Sequence, residues 1–234
     1  MRAHLLPMYR TSARRRAGII GLLVVTLAGS TPGVGQTDDV VPRVALAAGM
    51  GVNLHNAQDI VALINNSGVV SRRVDEFKSG VEFFGSVSVP LSTEWVVKLE
   101  YAHLIASYLE GTSFGSAEFS YFVAMPTLIG QYVLHSERMY NFKVGVGGGY
   151  HFGAYSQRYS LVDGKYTSTG VGTLIELEAN TALGENVFAH LGTQVRWDFV
   201  GDLKNASGNS PGGSFVTSLH FFSIGARLGV AVYL

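Results

Sequence analysis

The chain has 234 residues, 29 Gly, no Cys, and 34 charged side chains that cancel. One domain is the expectation for this length, and the missing Cys excludes a disulfide scaffold, a thiol nucleophile, a Cys-ligated metal and a lipoprotein anchor. Five of the 17 cations (Arg2, Arg10, Arg14, Arg15 and Arg16) precede residue 17, so the remaining twelve face 17 anions, which argues against nucleic acid as a partner.

The first element is an address. Arg14–Arg16 lead into the apolar run Ala17–Ala28, too short for a membrane-spanning helix of about 20 residues but fitted to a secretory signal peptide. Small residues allow a cut after Ser30, and Gly33–Gly35 offer a second position. Residues 1–36 are therefore read as signal peptide and linker, and 37–234 as one domain.

From Val44 onward the chain has period two, the mark of β-strands with unlike faces. Val44, Leu46, Ala48, Met50, Val52 and Leu54 alternate with small residues. A first loop, roughly 56–76, contains Ala57–Ile64, apolar enough for a short helix lying over a barrel mouth or in the membrane interface. Arg72 and Arg73 follow it. Next, Val81, Phe83, Val87 and Val89 alternate with Glu82, Phe84, Ser86 and Ser88, and Trp95, Val97, Leu99 and Tyr101 with Lys98, Glu100 and Ala102. Phe119, Tyr121, Val123 and Met125 are assigned to the apolar face of the fourth strand, opposite Glu118, Ser120 and Ala124. Phe142 to Phe152 alternate with Lys143, a Gly run and His151. Val171–Ala179 alternate with Glu176, Glu178 and Asn180, and Ala189–Phe199 with His190, Gln194, Arg196 and Asp198. Phe222–Leu234 alternate with Ser223, Gly225, Arg227 and Gly229. The count is eight.

Short turns near 92–94, 136–138 and 184–186 alternate with longer segments near 56–76, 110–117, 160–170 and 201–214. That order predicts an all-β, eight-stranded antiparallel up-and-down transmembrane β-barrel with both termini on the periplasmic side. A charge on a lipid face near the midplane costs about 2–4 kcal/mol, so the charged face belongs inside. Its expected members are Glu82, Lys98, Glu100, Glu118, Lys143, Glu176, Glu178, Arg196 and Arg227. Buried charges need partners, and neighbouring strands suggest Glu82 with Lys98 and Lys143 with Glu176 or Glu178. Arg227 falls near the first strand, which offers only small residues. On the lipid face two aromatic girdles are expected: Trp95, Tyr140 and Phe142 near the short turns, and Phe119, Tyr121, Phe152, Trp197 and Phe199 towards the long loops.

The eight alternating strands, the segment Lys143–Phe152 and the closing run Gly225–Leu234 resemble the small outer-membrane β-barrel domains of the OmpA/OmpX type. The resemblance covers about 42–234 and implies a monomer in the bacterial outer membrane, surrounded by outer-membrane lipids and lipopolysaccharide and handled by the barrel-assembly machinery. The final strand resembles the assembly signal of such barrels, except that it ends on Leu234 where an aromatic is usual. No cofactor or metal is implied.

Eight strands enclose little more than their own side chains, so the leading expectation is a charge-paired plug and a structural or surface-interaction role through the loops. Pro126 would interrupt a ladder in a closed barrel. The chain also resembles OmpW-like barrels in size, and these are associated with passage of small apolar molecules. A lipid A-modifying enzyme is a third possibility, with Ser218 and His220 as the nearest nucleophile–base pair. The loop Asn205–Gly213 has turn-forming composition.

Overall fold

The computed structural model describes residues 43–66, 73, 79–112, 115–159, 162–211 and 218–234. The signal peptide and its cleavage positions, Arg72 and the last residues of the 205–213 loop lie outside the described residues.

Eight strands form one closed antiparallel barrel in sequence order. They are β1 (Ala45–Asn56), β2 (Ser79–Pro90), β3 (Trp95–Thr112), β4 (Gly115–Ser136), β5 (Tyr140–Tyr159), β6 (Val162–Ala182), β7 (Val187–Asp202) and β8 (Ser218–Tyr233). Closure is made by β1 against β8, from Ala45 opposite Tyr233 to Asn56 opposite Phe222. The strand count and the up-and-down order agree with the periodicity of the sequence.

Two of the longer segments differ from expectation. The stretches near 110–117 and 160–170 are largely strand: β3 runs to Thr112, β4 begins at Gly115 and β6 at Val162. The run Asp163–Thr169 is polar on both faces apart from Tyr166, which packs against the buried apolar cluster, and a single ring is too little alternation to mark a strand. Within the first loop, α1 (Gln58–Asn66) is a helix with Ile60, Leu63 and Ile64 buried. A nine-residue helix is marginal alone in water, so it is held by this apolar face.

The wall has two unlike sides. Outward residues of β3 run Trp95, Val97, Leu99, Tyr101, His103, Ile105, and those of β8 Phe222, Ile224, Ala226, Leu228, Val230. Ten residue steps from Trp95 to Ile105, at ~3.3 Å each and a tilt of ~40°, give a belt about 25 Å high. Outward charges among the described residues stand beyond the two ends of this belt, as with Glu118, Arg158 and Lys165 at one end and Glu137 and Arg138 at the other.

The interior changes character along the axis. The half nearer the short turns is polar. The half nearer α1 is apolar, with Phe119, Tyr121, Val123, Met125, Leu203 and Leu219 clustered against Ile60 and Ile64.

Candidate functional site

The polar half of the interior is the most organised chemical feature of the chain. Lys98 on β3 reaches across the lumen to β6, with Nζ 2.6 Å from Glu176 Oε1 and 3.2 Å from Glu178 Oε2, while Glu100 lies 3.3 Å away. Lys143 on β5 donates to Glu178 Oε1 at 2.9 Å, its cross-strand neighbour in the β5–β6 ladder. Arg227 on β8 donates from Nε to Glu82 Oε1 at 2.6 Å and from Nη1 to Glu100 Oε2 at 2.8 Å. Arg196 stands 3.5 Å from Glu100 Oε1 and donates to Gln194 Oε1 at 3.1 Å.

Amides complete the lattice. Gln131 Nε2 donates to Glu176 and Glu178 at 2.7 and 2.8 Å. Asn53 Nδ2 donates to Glu82 at 3.0 Å, and Gln194 Nε2 reaches the same carboxylate. Every strand thus supplies at least one member: Asn53, Glu82, Lys98, Gln131, Lys143, Glu176, Gln194 and Arg227 from β1 to β8 in turn. Four carboxylates (Glu82, Glu100, Glu176, Glu178) face four cations (Lys98, Lys143, Arg196, Arg227), all buried. Buried charges persist only when paired and hydrogen-bonded.

Eight of the nine charged residues expected inside are there; Lys143 pairs with Glu178 across the β5–β6 ladder as expected, while Glu82 and Lys98 find their partners across the lumen. Glu82 meets Arg227, Gln194 and Asn53 instead of Lys98, because long side chains cross a narrow barrel as easily as they reach a neighbouring strand. The ninth, Glu118, points outward and lies 3.8 Å from Arg158, its opposite number on β5.

The same strand carries a second correction. Phe119 and Tyr121 are 0% and 1% exposed. They fill the lumen and do not join a girdle. The face assigned from residues 118–125 is inverted, since Thr127 and Gln131 continue the parity of Phe119 inward while Phe122, Leu128 and Tyr132 face out. The mouth beneath α1 needs apolar filling, and β4 supplies it.

The other expected girdle residues are on the outer wall. Trp95 meets Tyr132 edge-on at 5.2 Å and Tyr140 meets Phe142 at 5.8 Å at the short-turn end. Towards the long loops, Phe152 contacts Tyr150 at 5.2 Å, Trp197 contacts Phe222 at 5.5 Å and Phe199 contacts His220 at 6.1 Å.

Polar residues beyond the nine expected charges join the interior. His151 Nδ1 lies 2.5 Å from Asp198 Oδ1, His190 Nδ1 is 3.0 Å from Asn180 Oδ1, and His55 contacts the Tyr121 hydroxyl. His151, Asn180, His190 and Asp198 lie on the polar parity already read for their strands, whereas β1 has no charged residue to mark the parity of His55. Gly172 exists for this packing, because a Cβ there would overlap the His151 ring and the Asp198 carboxylate. The Ser218–His220 pair is not assembled: Ser218 Oγ donates to Asp59 Oδ2 at 2.7 Å, while the His220 ring lies outside against Phe199.

At the short-turn end the barrel opens into a cavity of about 640 Å³ whose lining includes Lys143, Asn141 and Tyr233. Closed order, eight strands, an apolar outer belt and a charged lumen together define the architecture. A major outer membrane protein from Thermus thermophilus has a similar structure, with TM-score 0.50 and 14% identity over 82% of this chain and 99% of that one.

The fold is that of the small outer-membrane β-barrels.

Two other such barrels are similar at slightly lower scores. Neisserial surface protein A matches with TM-score 0.49 and 13% identity, covering 82% of this chain and 97% of its own. OprG from Pseudomonas aeruginosa matches with TM-score 0.47 and 10% identity, covering 83% and 96%. No protein-family model matches the sequence, and no curated protein matches it significantly. At these identities the likeness extends to the fold of the barrel and no further.

Proposed function

We propose that this chain is an integral outer-membrane barrel with a closed interior, acting through the surface it presents beyond the lipid. The outer belt supports the location: its height and composition suit a hydrocarbon layer about 25 Å thick between aromatic girdles. The observation that carries the closed interior is the stacked filling of the lumen. A charge-balanced lattice of eight ionised side chains is overlain by an apolar cap into which α1 inserts Ile60 and Ile64. A hydrated ion would have to break buried pairs and then cross a dry layer. On this reading the short-turn end and both ends of the chain face the periplasm, while α1, the β3–β4 and β5–β6 hairpins and the 205–211 segment form the outer rim.

The test is single-channel recording of the refolded chain in a planar bilayer. The reading expects silence from the native protein; reproducible unit steps would overturn it. Deleting 57–66 and 205–211 should alter adhesion or envelope barrier properties of producing cells, and unchanged surface phenotypes would refute a rim-borne role.

A second reading, lateral passage of a small apolar molecule, is favoured by one observation. The β4–β5 ladder lapses between Ala124 opposite Phe152 and Thr127 opposite Gly149, at Pro126, which has no N–H to give. Against it, Thr127 Oγ1 donates to the Met125 carbonyl at 3.2 Å, and Gly149 lies against the Pro126 carbonyl so closely that a Cβ would not fit. Pro126→Val should slow uptake of an apolar dye if passage occurs there, and leave uptake unchanged if the wall is closed.

A further inference from the structure

We propose that the cavity at the short-turn end is a binding site for a small monocarboxylate with an apolar body. The argument rests on which hydrogen-bonding direction each group on its floor is forced to take.

Glu178 sets the direction. Its carboxylate accepts from Asn180 Nδ2 at 2.8 Å, which fixes the Asn180 amide with nitrogen towards it. The same nitrogen donates to Asn141 Oδ1 at 2.9 Å. Asn141 must therefore present its own nitrogen on the other side, and it donates to the Tyr233 hydroxyl at 3.1 Å. Tyr233 is left as acceptor in that bond, so its hydroxyl proton remains to be donated elsewhere, and the residue lines the cavity. Beside it Lys143 is 6% exposed, and one of its three N–H groups is used on Glu178. Its Nζ lies over the Tyr233 ring, 5.9 Å from the centroid, and both residues line the cavity. Ser88 adds a buried hydroxyl to the lining. The floor is a set of donors, and what satisfies donors held at fixed positions is an anion with two acceptor oxygens.

The walls choose the rest of the ligand. Val96 and Phe188, both buried, line the cavity, and the Phe188 ring is braced on Tyr233 at 4.7 Å between centroids. A volume of about 640 Å³ falls within the range of small-molecule sites, which combine apolar walls with a few convergent polar groups. At the rim Arg43 and Arg138 are matched by Glu137 and Glu185. Selectivity for a negative head therefore lies at the Lys143–Tyr233 floor. This site stands whichever side of a membrane the cavity faces.

The test uses the full chain in nanodiscs and 4-(trifluoromethyl)benzoate as a fluorine NMR probe, with 4-(trifluoromethyl)benzylammonium as the charge-reversed control and empty nanodiscs as the partition control. The benzoate should bind saturably above the partition background and the ammonium should not. Tyr233→Phe keeps the ring and removes the donor, and should weaken binding about tenfold, as loss of one hydrogen bond to a charged group does. Ser88→Phe, which fills the cavity without touching the Asn180–Asn141–Tyr233 chain, should abolish it. Heat-modifiable gel mobility confirms that each variant is folded. No saturable benzoate binding, equal binding of the ammonium, or undiminished binding by folded Tyr233→Phe or Ser88→Phe would each overturn the proposal.

Discussion

Glu100 accepts charge from three sides, with Lys98, Arg196 and Arg227 all within 3.5 Å. Removing it leaves three buried cations short of a partner. Breaking a buried pair in this way costs about 3–5 kcal/mol, so Glu100→Ala should lower stability by that order in urea unfolding followed by tryptophan fluorescence. Glu118→Ala removes a carboxylate of the same type from the rim, where it is half exposed and 3.8 Å from Arg158. Exposed pairs contribute little, and the expected change is within about 0.5 kcal/mol. The contrast tests the corrected placement of Glu118 directly. Gly172→Ala should cost about 1–3 kcal/mol, the range for overfilling a tight site, because its Cβ would meet the His151–Asp198 pair. Individual residues of this kind were legible in the sequence wherever a charge recurred at period two. Of their partners only Glu178 for Lys143 was, because pairing across a lumen depends on side-chain reach, which strand adjacency does not encode.

At the level of elements, α1 and β4 share one fate. The helix is anchored by Ile60, Leu63 and Ile64 and by the Asp59–Ser218 hydrogen bond to β8, and the buried cluster it joins takes more residues from β4 than from any other strand. Ile60→Asp places a carboxylate in that dry cluster. It should release the helix, seen as faster amide hydrogen exchange over 60–66, while the strand amides of β5 and β6 near Lys143 and Glu178 stay protected. The short helix itself could be read from Ala57–Ile64. The phase of β4 was misread from residues 118–125, because Glu118 and Ser120 gave the outward parity a polar look while the inward one is wholly apolar. Only Thr127 and Gln131 on one parity, with Leu128 and Tyr132 on the other, reveal which side faces the lattice. Likewise the β3–β4 hairpin end and the start of β6 were taken for loops, since Gly, Ser and Thr dominate there and single apolar residues such as Ala117 and Tyr166 mark their inward faces.

For the whole molecule, the outer wall and the lumen obey opposite rules, and the barrel is stable only where both hold. Leu99, near the middle of the outer belt and 58% exposed, and Leu109, near the end of the same strand, make a matched pair. Leu99→Arg should destabilise the barrel in lipid by about 2–4 kcal/mol and Leu109→Arg by less than about 1, the depth dependence expected of a lipid-facing wall; equal costs would argue against a bilayer around the belt. Strand number and order were plain in the sequence because eight repeats of one pattern leave few ways to close.

The lattice that draws a member from every strand has a consequence for how the barrel is made. A sheet of seven strands lacks Asn53 or Arg227 at its open edge, and without Arg227 both Glu82 and Glu100 lose their shortest contact. The final pairing of β1 with β8 is what brings Arg227 beside Glu82 and Glu100, so the lumen reaches its full charge pairing only as a closed ring.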